Sequence, residues 1–476
     1  MPHCKNTNLF SEIDVFFQNS DDTAIHAMLN ALKAIKMTDR RLGLKTYHNA
    51  TVSSSEKLQN LLFLPFLGCK DISRLPFSGM VWSSGYNMLY RMMRLDSIDW
   101  RGVQARFNKH LVKYLDTHTE KEEGGVVCLV ADDTDIAKSG RKMEHIGKVF
   151  SHTEGRHILG FKGLVLGRND GKTFIPLDFS LHVEKGKEGK QGLKAKELKA
   201  RLSTSPDEGT PAYTRHQERL NSKIDTLLDM VKRAYAKGND FDYLLLDSWF
   251  VCDKVMKEVI GLGKGHHVLG MLKTNVNKFE VDGEKLTTGM MVSKFRKARK
   301  KRCRKYHCEY IVVDTDLNGT PVRLFLCRRT KQDGWKALVT TNRSLIFTKA
   351  YEIYAMRWSI EVCFKECKQY LRLEGNQAQY FNSQIASVTV CLMQYALLSV
   401  VKRMTSYETL GGLFRNTVAD TIEFTLYERI LMVLTDILEE FTEYIGFPNK
   451  KLVQKFLSDK QILEKIKQSK HLNLSA

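Results

Sequence analysis

Two short runs, VVCLVAD at 126–132 and DYLLLD at 242–247, are apolar almost throughout and each closes on an aspartate. A run of this length without alternation is buried on both faces, so it is expected as a central strand of a sheet covered by helices. ILGFKGLVLG and TFIPLDFSLHV flank the turn RNDGK and predict a hairpin after the first run. RHQERLNSKIDTLLDMVKRAYAKG predicts a helix ended by Gly238, FVCDKVMKEVIGLG a second helix, and HHVLGML a further strand. The order is three strands, helix, strand, helix, strand. It specifies a mixed α/β sheet whose first strands are antiparallel.

Helical regions flank this sheet. DDTAIHAMLNALKAIKM has an Asp N-cap and apolar periodicity, and GYNMLYRMMRLDSIDWRGVQARFNKHLVKYL interleaves Arg and Lys with Tyr and Trp. Residues 276–342 break the rhythm with short alternating segments and an Asn318–Gly319 turn, and read as a β-rich insertion. The expected organisation is a helical DNA-binding region at 1–120, a core at 121–275 and 343–375, the insertion at 276–342, and a helical region at 376–476.

Charge narrows the function. Lys and Arg number 74 against 54 acids, a net +20, which favours polyanionic partners. KFRKARKKRCRK at 294–305 is nine parts basic in twelve and predicts salt-sensitive phosphate contact. The ten cysteines are scattered, without the paired spacing of a zinc site, and the N-terminus lacks the basic start and apolar core of a signal peptide. IASVTVCLMQYALLSVV at 385–401 is apolar but short for a membrane span and carries Ser387, Thr389, Gln394 and Ser399, so it is expected as a buried helix. A cytoplasmic chain without a membrane partner is the expectation.

In YAMRWSIEVCFKECKQYL, the residues Tyr354, Arg357, Glu361, Lys365 and Lys368 follow steps of three, four, four and three, which align them on one helical stripe. Asp132 and Asp247 end their strands at the edge where open α/β sheets bind ligands, and Glu361 is the natural third acid. Three carboxylates without His or Cys are hard oxygen ligands suited to Mg²⁺ or Mn²⁺. Two such ions can activate an attacking oxygen and stabilise the leaving oxygen of a phosphodiester. Asp133 is the alternative to Asp132, because adjacent strand residues point to opposite faces and one of the two faces the crevice.

Tyr354, Arg357, Glu361 and Lys368 fill the pattern Y-x2-R-x3-E-x6-K. The chain resembles the bacterial insertion-sequence-four (IS-four) family of transposases, with DDTD at 132–135 and LLLDSWF at 244–250 similar to its first and second aspartate blocks. The resemblance spans about 124–400. It implies an RNase H-like (retroviral integrase-like) mixed sheet with a β-rich insertion, flanked by helical N- and C-terminal regions. Asp132, two places before Thr134, Asp247 and Glu361 would be the catalytic and metal-binding residues of a DDE site holding two Mg²⁺ or Mn²⁺ ions. Tyr354, Arg357 and Lys368 would contact DNA phosphates, Lys365 would add phosphate affinity, and Trp335 lies near where some relatives stack a flipped base.

The implied activity is cut-and-paste transposition. Water releases a 3′-hydroxyl at each transposon end, a hairpin forms and reopens, and the freed end attacks target DNA. The implied partners are double-stranded DNA, as terminal inverted repeats and target, and a second subunit in a homodimer. An RNase H-like nuclease unconnected with transposition and a catalytically inactive DNA-binding descendant are the competing readings. A paired-carboxylate glycosidase does not account for the positive charge or the basic helix stripe.

Overall fold

The computed structural model describes residues 23–47, 50–68, 71–77, 86–120 and 124–445, with a few isolated positions beyond them. The expectations for the extreme N-terminus, Cys4, Cys69 and the Asp cap at 21–22 lie outside the described residues. The chain divides into two compact units, residues 94–404 and residues 1–93 with 405–476.

The larger unit opens with α1 (Trp100–His118) and a four-strand run: β1 (Cys128–Ala137), β2 (Gly147–Ser151), β3 (Arg156–Asn169) and β4 (Phe174–His182). There follow α2 (Ala195–Ala200), α3 (Pro211–Glu218), α4 (Lys223–Ala236), β5 (Tyr243–Leu246), α5 (Asp253–Gly261) and β6 (His267–Leu272). β3 runs antiparallel to β1 and carries both β2 and β4 along its far edge; β1, β5 and β6 are parallel. The resulting order β4–β3–β1–β5–β6 is the RNase H-like sheet. Every residue of β5 is buried, as an apolar run without alternation requires, and every residue of β4 is buried too, including Asp178, Ser180 and His182. The predicted helix over 215–238 is two helices, because the Ser222 side chain caps a new start by accepting from the Ile224 amide at 3.2 Å.

The insertion comprises β7 (Lys278–Val281), β8 (Glu284–Thr287), α6 (Thr288–Phe295), β9 (Lys301–Cys303), β10 (Cys308–Leu317), β11 (Thr320–Arg328) and β12 (Lys336–Thr340). It extends the core sheet, since β12 pairs antiparallel with β6. Asn318 and Gly319 both take positive φ, 49° and 85°, between the paired Leu317 and Thr320: a two-residue turn that suits strand twist. The helices α7 (Phe347–Ala355), α8 (Trp358–Gln369) and α9 (Phe381–Met404) complete the unit. α9 is long and apolar enough to cross a membrane, yet nearly all of its residues are buried, against α1, α3, α8 and β4.

Both α1 and α9 therefore pack within the unit that holds the sheet, whose compact boundaries fall at 93/94 and 404/405. A buried charge cluster helps fix α1, α3 and α4. Asp178 on β4 pairs with Arg101 at 2.8 Å and Arg233 at 2.9 Å, and Glu218 shares Arg101 at 2.8 Å.

The second unit is helical. Thr23, Thr38 and Ser53 cap the starts of Ala24–Ile35, Asp39–Leu42 and Ser54–Phe63. Asp420 on the long helix Leu410–Tyr444 accepts from the Ile25 amide at 3.1 Å, and Phe414 packs on Phe66 with ring centroids 5.5 Å apart.

Candidate active site

β1 pairs with β5 from Cys128↔Tyr243 to Ala131↔Leu246, and β5 ends there. Asp132 and Asp247 are therefore the next position on each of two neighbouring strands, and strand alternation aims them to the same face. β1 itself does not end at Asp132, as the sequence suggests; it continues to Ala137 against β3, so Asp132 lies within a strand. The same alternation separates the adjacent acids. Asp133 faces the other way, where it pairs with Lys223 on α4 and with Lys162 at 3.9 Å. That neutralised acid leaves Asp132 as the one beside Asp247.

Asp132 is pushed up to about 7, first by burial and then by the charge of Asp247; Arg357 opposes the rise. Its Oδ1 accepts from the Asp133 amide at 2.8 Å and its Oδ2 from Arg357 Nη1 at 2.9 Å. Arg357 Nη2 donates to Glu361, so one guanidinium bridges the first and third acids. Asp247 Oδ1 accepts from the Trp249 and Phe250 amides at 2.9 and 3.3 Å, which fixes the carboxylate at the strand end. Tyr354 lies beside them: burial, with the nearby Asp247 and Asp132, raises its phenol to about 12, so it stays a hydroxyl at neutral pH.

The stripe is not carried by one uninterrupted helix. α7 ends at Ala355 and α8 begins at Trp358, and across this junction Met356, Arg357 and the first-turn residues Ser359 and Ile360 each donate to the carbonyl three residues back. This is 3₁₀ spacing, and it places Tyr354 on one helix and Glu361 on the next. Lys368 pairs with Glu374 at 3.1 Å. Lys365 is exposed and makes no ion pair among the described residues. Trp335 contacts none of the three acids; it is half-buried beside β12 under the Arg328 guanidinium, 4.8 Å from its ring centre.

The donor set fits a hard divalent cation. Asp132, Asp247 and Glu361 offer only carboxylate oxygen, two of them crowd each other, and a cation (here Arg357) already sits between the first and third. A second cluster was not evident from the sequence, because its members lie 71 residues apart. The ligand atoms of Glu144, His145 and His216 lie within 4.8 Å of one another, close enough to hold a metal ion. This cluster gives the chain a metal-coordinating site of the kind nucleases use. Most atoms of the second are engaged within the protein. His216 joins His145 at 2.9 Å and Asn382 at 3.0 Å, and Glu144 accepts from the Thr204 and Phe381 amides at 2.9 and 2.8 Å. It ties the β1–β2 connection to α3 and α9, whereas Asp247 and Glu361 each engage only one carboxylate oxygen in the bonds described above.

Comparison with known families agrees with the RNase H-like fold. Residues 71–271 match the model of the "DDE superfamily endonuclease" family, and residues 214–410 match that of the "Archaeal putative transposase ISC1217" family. Between them the two matches contain Asp132, Asp247 and Glu361, and they give the chain general homology to DDE-superfamily transposases and endonucleases. Among solved structures, the chain is similar to a piggyBac transposase synaptic complex with hairpin DNA, at 10% identity over 90% of this chain and 83% of that one. The TM-score is 0.41, too low to carry the fold assignment, which rests on strand order. No curated protein matches.

Proposed function

We propose that this chain is a cut-and-paste DNA transposase of the insertion-sequence-four type, with Asp132, Asp247 and Glu361 as its catalytic acids. The observation that carries the reading is the β1–β5 register, which sets Asp132 beside Asp247, with Arg357 linking Asp132 to Glu361. The three acids would hold two Mg²⁺ or Mn²⁺ ions, which when bound supply polarisation of the attacking oxygen and stabilisation of the leaving one.

The chain's own groups do the rest. Arg357, freed from the carboxylates, would clamp a phosphate near the cleaved bond, and the protonated Tyr354 hydroxyl would donate to it. Lys368 and Lys365 would hold the backbone further along α8. Trp335 is kept as a contact to DNA on the insertion sheet. Transposon ends and target DNA are the substrates, and the helical unit would recognise the ends. Homodimerisation is supported by Val433, Ile437, Phe441 and Tyr444, an exposed apolar series at helical spacing on Leu410–Tyr444. A cytoplasmic location agrees with eight free cysteines among the described residues.

The test is incubation with DNA bearing the element's own ends and Mg²⁺ or Mn²⁺, resolving nicks, hairpins and joined products on gels. Asp132→Ala, Asp247→Ala and Glu361→Ala are expected to abolish cleavage while end binding survives. Cleavage by all three variants at the wild-type rate refutes the site.

A further inference from the structure

Asn169 closes β3, opposite Cys128 on β1 and Phe174 on β4, and is buried. Its carboxamide is fully used. Nδ2 donates to the Met356 carbonyl at 3.0 Å and to Ser359 Oγ at 2.9 Å, and Oδ1 accepts from the Gly171 amide at 2.8 Å. Ser359 Oγ in turn donates to the Met356 carbonyl at 2.8 Å. One side chain of the β3–β4 turn thus grips the break between α7 and α8, immediately before Arg357 and one turn before Glu361.

The break needs a grip. Met356 and Arg357 both have right-handed helical φ and ψ, so the local backbone is close to an unbroken α-helix. In a regular helix the Met356 carbonyl would accept from residue 360, but the Ile360 amide donates to Arg357 instead. The Met356 oxygen accepts from the Ser359 amide at 3.2 Å, and Asn169 Nδ2 and Ser359 Oγ add two further donors to it, which favours the 3₁₀ turn over the α-turn. Each residue in 3₁₀ geometry turns about 20° further than in an α-helix, so undoing two residues rotates α8 by about 40° about its axis. A catalytic constellation tolerates roughly 10–20°. The far end of α8 is held separately, by Glu374 accepting from the Ala137 amide at 3.3 Å and Lys138 donating to the Asn376 carbonyl at 2.8 Å. Loss of Asn169 would therefore turn the helix at its catalytic end while leaving its other end anchored.

We propose that Asn169 is a positioning residue of the acidic site, setting the helical phase at which Glu361 and Arg357 face Asp132. The inference rests on the reading of Asp132, Asp247 and Glu361 as metal ligands. Asn169→Leu keeps the volume and removes all three bonds; Ser359→Ala removes two and leaves Asn169 on Met356.

The experiment measures Mn²⁺ affinity without DNA by calorimetry, together with single-turnover cleavage and end-DNA affinity. Asn169→Leu is expected to weaken Mn²⁺ binding and slow cleavage by about 10–100-fold each, the usual cost of losing an outer-shell partner, with end-DNA affinity falling by less, through the displaced Arg357 alone. Ser359→Ala is expected to move the same two quantities in the same direction by less, and carries the test should Asn169→Leu fail to fold. Wild-type Mn²⁺ affinity and rate in either folded variant overturns the assignment. Asp132→Asn distinguishes the two levels: if wild-type protein binds Mn²⁺ no better than Asp132→Asn, the metal-site reading itself has failed.

Discussion

Replacing Asp132 by Asn should stabilise the metal-free protein while destroying its catalysis. A carboxyl whose pKa lies near 7 in the fold and near 3.8 in the unfolded chain binds more protons when folded throughout that interval. Its contribution is favourable below the unfolded value and is lost as pH rises toward 7. Once ionised, Asp132 costs the fold about 4 kcal/mol. The side chain is only 17% exposed, so solvent screening removes little of this. Asn occupies the same volume without the charge. It weakens the 2.9 Å bond to Arg357, which returns about 1–3 kcal/mol of the gain. The net expectation is a stabilisation of about 1–3 kcal/mol above pH 7, or a few degrees in melting temperature for a unit of this size. The assay is thermal melting between pH 5 and 8, with and without Mn²⁺. Wild type should lose stability relative to Asp132→Asn as pH rises and regain it with Mn²⁺; the variant should ignore the ion. Asp132→Asn melting below wild type at pH 8, without metal, would refute the crowding of Asp132 and Asp247.

Other outcomes follow from groups outside the acidic crevice. Burial, aided by Arg219, lowers His145 to about 3, so the unfolded chain binds the extra proton between about 3 and 6.5. Stability should then be complete above pH 6.5 and fall by up to about 4–5 kcal/mol on acidification toward pH 3, and His145→Phe should flatten that arm in urea titrations. Asp178→Asn strips the buried Arg101 and Arg233 of their shared carboxylate and should cost about 3–5 kcal/mol in chemical denaturation; a loss under 1 kcal/mol would show the cluster to be redundant. In the basic run, Lys294, Arg299, Lys300 and Lys305 already pair with Glu284, Asp282, Glu309 and Glu352. DNA affinity should therefore depend on Arg296, Lys297, Lys301, Arg302 and Arg304, whose joint replacement by Gln should reduce the salt slope by up to about 4–5, while replacing the paired four changes it less.

Much of the arrangement was legible beforehand because it depends on local period. Uniformly apolar runs gave β1 and β5, Asn318–Gly319 gave its hairpin, and the acids and cations of 354–368 followed helical spacing. The break at Met356–Arg357 left no mark in that spacing, because a 3₁₀ turn of two residues shifts the stripe by less than the width of a helix face. The Arg328 guanidinium over the Trp335 ring left no local mark either, because it is a contact made between neighbouring strands of the insertion.

The sequence by itself settled which residues can form strands and helices, and which acids end apolar runs, since these follow from the chemistry of each residue and its nearest neighbours. It left Asp132 and Asp133 as rivals and was silent on Asn169. Which acid stands beside Asp247, and what Asn169 touches, came only from the tertiary structure, because both depend on partners far along the chain: Lys223 pairs with Asp133 from α4, the β5 register sets Asp247 beside Asp132, and Met356, 187 residues away, gives Asn169 its bond. Pairing across such separations is fixed by the register of packed elements, and no short-range pattern records it.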